Sequence, residues 1–587
     1  MVHRKSLALI LLIFCITLLS AEDTGVNNLT DSEQDEFSVG QEMVEPDSIL
    51  PEADVIYEAD SEESVISVVN REEVIARIED YRLESYPNSR YFDPILAPYS
   101  EISYRLSFDF AGLQNEPNEL KSSGFTLPGS FLQSWTYQGY LAQFHQLKHD
   151  AWGMNAVSEI YDYPVSLSRL EGSLGDYDSR YVLASFSKGD LFGFTGSSME
   201  FDYTIYNGNW VDASNSGNSI KQFLSYRFED FLFSVDLASY NKEGGSYELN
   251  PAYWHLGNFR YEHKFSQIIG QINHPLLNLS VASLADELSF PAYNPKWKTN
   301  SLHLAAHSDV NLPGGKARLR YEYRDLNRDY IPARGYNFAD FKEELSLDIE
   351  HNSLVGFNAN TRIKDWDLWQ TKLDLFKDLG IWRLGLDSDL TKGYSRLNIA
   401  SSPIDGSMMP VADLYIPHVY GLYGLVNLGN LKLRASIRQK HEKQYNNLSE
   451  ISENLYLLNL AGTYDARWKD WQVKVDAIWR YQEYNSAMMG APEFSFSSEQ
   501  RIFRHLDHDN RLELGFALNG HSDYYLPNAV NPYLIEASTI LDAWAAVRIS
   551  KLFDFSVTAK NIMSTSIYGL YPIPMSVHAN LRWFFIN

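Results

Sequence analysis

The stretch Leu460–Tyr481, "LAGTYDARWKDWQVKVDAIWRY", decides the fold. Read with a period of two, Leu458, Leu460, Tyr464, Ala466 and Trp468 share one face, while Asn459, Thr463, Asp465 and Arg467 share the other. After the break at Lys469-Asp470 the pattern resumes, with Trp471, Val473, Val475, Ala477 and Trp479 against Gln472, Lys474, Asp476 and Arg480. This is a hairpin with one apolar and one polar side. Its aromatics gather at the strand ends near the turn, where a membrane interface places Trp and Tyr, and small or aliphatic residues occupy mid-strand.

The same construction recurs from about residue 191 onward, as in "FLSYRFEDFLFSVDLASY", "LVNLGNLKLRASIRQK" and "AAVRISKLFDFSVTAKNI". Tight turns are expected near residues 191, 229, 266, 312, 353, 378, 429, 469, 509 and 551. The connections between them are longer and rich in Gly, Pro, Asn and Ser, for example "SSPIDGSMMPVADLYIP" and "SDYYLPNAVNPYLIEAS". Short turns on one rim and long loops on the other mark an all-β, transmembrane antiparallel outer-membrane barrel. Two strands per interval give about 20 strands, with about 18 to 22 as the range. Residues 191–587 are therefore expected to form the transmembrane β-barrel.

Composition narrows the class. Residues 2–21, "VHRKSLALILLIFCITLLSA", combine a basic start, an apolar run from Leu7 to Leu19 and small residues at Ser20-Ala21. That is the form of a signal peptide over 1–21, the alternative being a membrane anchor, which needs about 20 apolar residues. Cys15 is the only cysteine, so cleavage would leave a chain without disulfides, thiolate metal sites or cysteine nucleophiles. The formal charge of -27 argues against nucleic acid as a partner. Acidity concentrates in 22–100: between Glu22 and Asp80 only Arg71 and Arg77 are basic, and the segment is expected to be a largely disordered periplasmic extension. Its patch Val65, Ile66, Val68 and Val69 is either a short local element or a strand able to dock on a partner's sheet edge.

The closing stretch Ser576–Asn587, "SVHANLRWFFIN", puts Val577, Ala579, Leu581, Trp583 and Phe585 on one face and His578, Asn580, Arg582 and Phe584 on the other. With Asn561-Ile562 in "FSVTAKNIM" and Tyr571, Pro572 and Pro574 in "YGLYPIP", it resembles the closing strands of TonB-dependent outer-membrane receptors. Asn561, Trp583 and Phe585 take the places of that family's barrel-closing residues. In "PVSLSRLEGSLGDYDSRY", Arg169, Glu171, Gly175 and Tyr181 fall where the family's plug domain ends. The resemblance implies a small plug-like α+β module over 101–190, shortened or rebuilt because "VLASFSKGDLFGF" stands where the family's next strand would be. It also implies an outer-membrane location with the N-terminal extension in the periplasm. Its partners would be outer-membrane lipid, the barrel-assembly machinery, a TonB-type energy-coupling protein and a solute of unknown identity.

If apolar faces meet lipid, polar faces line the lumen. Lys316, Arg318, Arg320 and Arg324 share such a face in "GKARLRYEYR", and Lys432, Arg434 and Arg438 share another in "LKLRASIR". They either pair with lumenal acids such as Asp236, Asp465 and Asp476, or guide an anionic solute. His145 and His149, "HLDHD" at His505 to Asp509, and the pairs Met408-Met409 and Met488-Met489 are of types that contact metals or soft ligands, but none specifies a complete ligand set. No nucleophile elbow, zinc-protease motif or phosphate-cradling loop is present, so no cofactor, metal or enzymatic activity is expected.

The reading is an outer-membrane barrel that transports or binds a solute. The alternatives are a passive porin and a structural or adhesive barrel without energy coupling. A direct consequence concerns Cys15: the mature protein purified from a Gram-negative host should show no thiol on titration with a thiol-specific reagent under denaturing conditions. One thiol per chain would show that 1–21 is retained.

Overall fold

The computed structural model describes residues 72–75, 78, 119–122, 125–126, 146–149, 153–157 and 160–587, the last without 177, 209–214, 246–259, 290–295, 329–341, 354, 367, 393–395, 402–407, 447–448, 483–492, 508–509, 527–532, 564–574 and 587. The expected signal peptide, nearly all of the acidic extension with Val65 to Val69, His145 and Met488-Met489 lie outside the described residues.

From Leu167 onward the wall strands are antiparallel, each hydrogen-bonded to the next wall strand, Tyr524–Leu526 and Tyr533–Ile535 pair as a separate hairpin, and Ser576–Ile586 pairs with Leu167–Gly175 to close the ring. Twenty-two strands make the wall. A further strand, Arg396–Ser401, pairs only with the long-loop extension of Met408–Leu428. Alternation explains why these segments become wall. In Gly315–Arg328, Leu319 and Tyr321 point out and are exposed, while Glu322 and Arg324 point in and are buried. The founding hairpin behaves alike: Leu460, Trp468 and Trp471 are exposed, and Trp468 stacks on its register partner Trp471 at 5.0 Å. Such an outward face is stable only against hydrocarbon.

The count corrects the expected figure of about 20. The two added strands, Leu167–Gly175 and Arg180–Gly189, lie within the stretch read from sequence as plug-like. They alternate less clearly, since the buried Arg169, Glu171 and Ser173 are spaced by two but their outward neighbours include Ser168 and Gly172. A second correction concerns the turn expected near 266. Arg260–Asn273 is one continuous strand, and the chain reverses at 274–277. Pro275 has no N–H to give a ladder, and Asn278 Oδ1 accepts the His274 N–H at 3.0 Å.

The seam between first and last strands is specified in detail. Arg582 and Glu171 are register partners and form an inward ion pair, with Arg582 Nε donating to Glu171 Oε1. Glu171 is buried and Arg582 largely so. His578 lies across Gly175, in the space that a side chain at that glycine would fill, and its Nδ1 is 3.3 Å from Ser179 Oγ. The Asp176 carboxylate accepts the Val577 N–H at 2.8 Å, tying the turn after the first strand to the last.

Outside the wall, Glu119–Ser122, Phe125–Thr126, Gln146–His149 and Gly153–Val157 form a four-stranded mixed sheet, in which the first and last of these run parallel.

Removing one partner of a buried ion pair leaves the other charge desolvated, at a cost of about 3–5 kcal/mol. Glu171→Ala should therefore lower the temperature at which the folded barrel loses its fast electrophoretic migration. The exchange Glu171→Arg with Arg582→Glu should recover part of the loss, and an unchanged transition in Glu171→Ala would show that the seam does not rely on this pair.

Candidate functional site

The inward face of the wall is most highly charged along eight consecutive strands, from Lys296–Leu312 to Leu431–Asn446. Cross-strand register sets which charges meet. Glu322 is the centre of one group. Its Oε1 accepts from His303 Nδ1 at 2.9 Å and Arg324 Nη2 at 3.4 Å, and its Oε2 from Arg320 Nη2 at 3.0 Å. His303 reaches Ser301 Oγ with its other nitrogen at 2.8 Å. Further along the arc, Lys364 pairs with Glu344 at 3.2 Å. Arg362 donates to Gln370 Oε1 at 2.8 Å, and Gln370 in turn donates to both oxygens of Asp389 at 3.0 Å.

Asp387 is the second centre. Arg438 Nε donates to its Oδ2 at 3.1 Å, Arg438 Nη2 donates to the same oxygen, and Arg434 Nη2 lies 3.5 Å from it. The Arg434 guanidinium sits over the Tyr423 ring, 4.3 Å from its centroid, and the Tyr423 hydroxyl donates to Asp374 Oδ1 at 2.7 Å. Tyr423 can lie flat against the wall because its register partner is Gly385; a side chain there would occupy the same space as the ring. The result is two guanidiniums and a phenol held around carboxylates. Charge-assisted hydrogen bonds and the cation–π contact hold these groups to one another.

The residues singled out from sequence distribute unevenly over this surface. Arg320, Arg324, Arg434 and Arg438 lie in the two groups just described. Lys316 and Arg318 stand at the short-turn rim, where Lys316 pairs with Glu350 at 3.1 Å and Arg318 with Asp309 at 2.6 Å. Lys432 is exposed on that rim. Of the acids named beforehand, Asp476 accepts from Thr463 at 2.7 Å and Asp236 from Gln267 at 3.4 Å. Arg169, Glu171, Gly175 and Tyr181 stand in the first wall hairpin. Trp583 and Phe585 are neighbours at the rim, their rings 4.3 Å apart. Asn561 is buried at the end of Phe553–Lys560 with φ 47, and its N–H donates to Asp542 at 2.8 Å. His505 is exposed, and Asp507 accepts from Asn510. Among the described residues no group of three or more His, Cys, Asp or Glu is arranged to hold a metal ion.

Sequence reading missed Asp387, Tyr423, Asp374 and His303. Asp387 lies 51 residues from Arg438, and only register brings them together. Glu322 carried a usable signal, since it falls between Arg320 and Arg324 at spacing two. The inward face also holds an apolar patch that strict alternation did not lead one to expect: Phe265, Ile269, Ala282, Leu284 and Ala305, all buried.

Asp387→Ala removes the carboxylate that Arg434 and Arg438 share, at a cost of about 3–5 kcal/mol for buried charges. The variant should assemble with a lowered unfolding transition, and a planar-bilayer recording should show its selectivity shifted toward anions. A shift toward cations would contradict the placement of these guanidiniums on the lumen surface.

No family model matches the sequence, and no curated protein matches it either. Solved structures do match. The ferripyoverdine receptor of the outer membrane of Pseudomonas aeruginosa superposes with a TM-score of 0.55 at 11% identity, covering 80% of each chain. The FrpB iron transporter from Neisseria meningitidis gives 0.54 at 9% identity, over 74% of this chain and 85% of its own. The alcaligin outer-membrane receptor from Bordetella pertussis gives 0.52 at 11% identity, over 80% and 86%. The chain thus shares its barrel fold with outer-membrane siderophore receptors and an iron transporter, the fold that its resemblance to TonB-dependent receptors implied.

Proposed function

We propose that this protein is an outer-membrane barrel of the TonB-dependent-receptor type that binds and admits an anionic solute, with a ferric chelate as the leading class. The observation that carries the reading is the paired cluster of Arg434, Arg438 and Tyr423 around Asp387 and Asp374, inside a wall of 22 strands. A ring of that size encloses a lumen too wide to be filled by wall side chains and needs an internal plug to be selective. The small mixed sheet, Glu119–Ser122 to Gly153–Val157, is the candidate for part of that plug.

On this reading the short-turn rim faces the periplasm and the long loops face outward, as in other outer-membrane barrels. The acidic extension then lies in the periplasm, where a TonB-type partner would act, and the barrel-assembly machinery would insert the wall. Neither nucleic acid nor a catalytic role has a place in it. The passive-porin and adhesive alternatives differ by energy dependence, since a coupled receptor stops importing when the proton-motive force is dissipated.

Uptake of iron-55 chelates by a host lacking its own ferric-chelate receptors tests the reading. Expression of the full chain should confer uptake of at least one hydroxamate or catecholate chelate, sensitive to an uncoupler. Arg434→Ala, with folded migration retained, should reduce that uptake by about tenfold. Uptake that survives the uncoupler would establish a porin. No uptake across the chelate panel would overturn the solute class.

A further inference from the structure

Phe584 is out of place on an inward face otherwise made of Ser576, His578, Asn580 and Arg582. It is 2% exposed, and what buries it is not wall alone. Val74 and Ile78, at 0% and 2%, pack with Phe584 and Tyr161 in one apolar cluster, bordered by Tyr163, Leu167, Leu552 and Ile586. Residues 72–75 and 78 are helical, so Val74 and Ile78 at spacing four share a face, while Glu72 and Glu73 are exposed. Every other member of the cluster belongs to one corner of the short-turn rim. Leu167 opens the first strand, Ile586 is its register partner at the end of the last, and Leu552 is in the turn whose carbonyl accepts the Phe584 N–H at 2.8 Å.

The segment leading into the wall is itself fastened there. Tyr161 donates its hydroxyl to the Val165 carbonyl at 2.7 Å and meets Tyr163 edge-on at 5.2 Å. The Tyr163 carbonyl accepts the Gly189 N–H at 2.7 Å, and a side chain at Gly189 would collide with that carbonyl. Leu167 and Ile586 flank the closing seam, so Val74 and Ile78 pack across the joint that closes the ring.

We propose that the helical residues 72–75 and 78 are a clasp: an amphipathic element from the chain's acidic N-terminal region that docks on Phe584 and Tyr161 and holds the short-turn end of the closing seam. Docking and seam stability are then coupled in both directions, because a ligand that binds one state of a two-state element biases that element by the difference in its affinities. Releasing the helix weakens the seam, and any pull on the chain before Glu72 is delivered first to Phe584. The clasp stands on apolar packing and is independent of which solute the barrel carries.

Thiol labelling decides it, because the mature chain has no cysteine if Cys15 is removed with the signal peptide; Cys15→Ala secures this in any case. Ile78→Cys and Glu73→Cys are placed singly in the full-length protein and reacted with a bulky maleimide in outer-membrane vesicles opened to the reagent. Ile78→Cys should react at least about tenfold more slowly than Glu73→Cys, as a site protected by a docking equilibrium does. Adding Phe584→Ala should bring the two rates together. Should Phe584→Ala fail to assemble, Val74→Asp makes the same release from the helix side, and it should also lower the temperature of the barrel's gel-mobility transition while Glu73→Ala does not. Equal labelling of Ile78→Cys and Glu73→Cys in the otherwise unaltered protein would overturn the clasp. An unchanged transition in Val74→Asp would overturn its coupling to the seam.

Discussion

A strand in hydrocarbon cannot leave its backbone N–H and carbonyl groups without partners, and everything else in this structure follows from that constraint. Each wall strand needs a neighbour on both sides, so the sheet must close on itself, and here it closes by joining Leu167–Gly175 to Ser576–Ile586. Two ends of the chain about 400 residues apart meet along one ladder. Nothing local specifies that ladder, so it is secured by features that work only in one register: the Arg582 and Glu171 pair, His578 against Gly175, and the Asp176 carboxylate on the Val577 amide.

Closure also decides where the charges go. Because side chains alternate, an outward apolar face forces its intervening residues into the lumen, and a lumen filled with Arg, Lys, Asp and Glu must balance them at short range. Glu322 does so with two arginines of its own strand and His303 of the next, and Asp387 with two arginines across strands, so each carboxylate engages two or three donors. This interior is therefore polar without being a field of bare cations. Aromatic rings such as Tyr423 lie over glycines and complete its surface.

How much of this was legible beforehand follows the physics of each feature. Period-two patterning is local, so the outward Leu319 and Tyr321, the inward Arg320 and Arg324, and most turn positions could be read from the chain. The turn at 274–277 was missed because its marker, Pro275, is followed by the apolar pair Leu276-Leu277, whereas "FSQ" at 265–267 interrupts the pattern without ending the strand. Arg169, Glu171 and Gly175 matched a motif of the plug, yet they stand in the wall, because a short motif does not encode which distant strand it will pair with. Partners such as Asp387 for Arg438 depend on register over dozens of residues. Phe584 was visible as an apolar residue on a polar face, but its reason lies in Val74 and Ile78, far away in sequence.

The central claim is the closing ladder, and a disulfide across it is the most direct measurement. Ser173 and Asn580 are register partners on the inner face of the first and last strands, and paired residues of an antiparallel ladder stand about 4.5–5.5 Å apart at Cα, within disulfide reach. With cysteine at both positions and Cys15 removed, mild oxidation in the outer membrane should yield an intramolecular bond, identified by mass spectrometry as one peptide linking 173 to 580. Failure to form it in a folded barrel, or a bond formed only between two molecules, would contradict closure through these two strands.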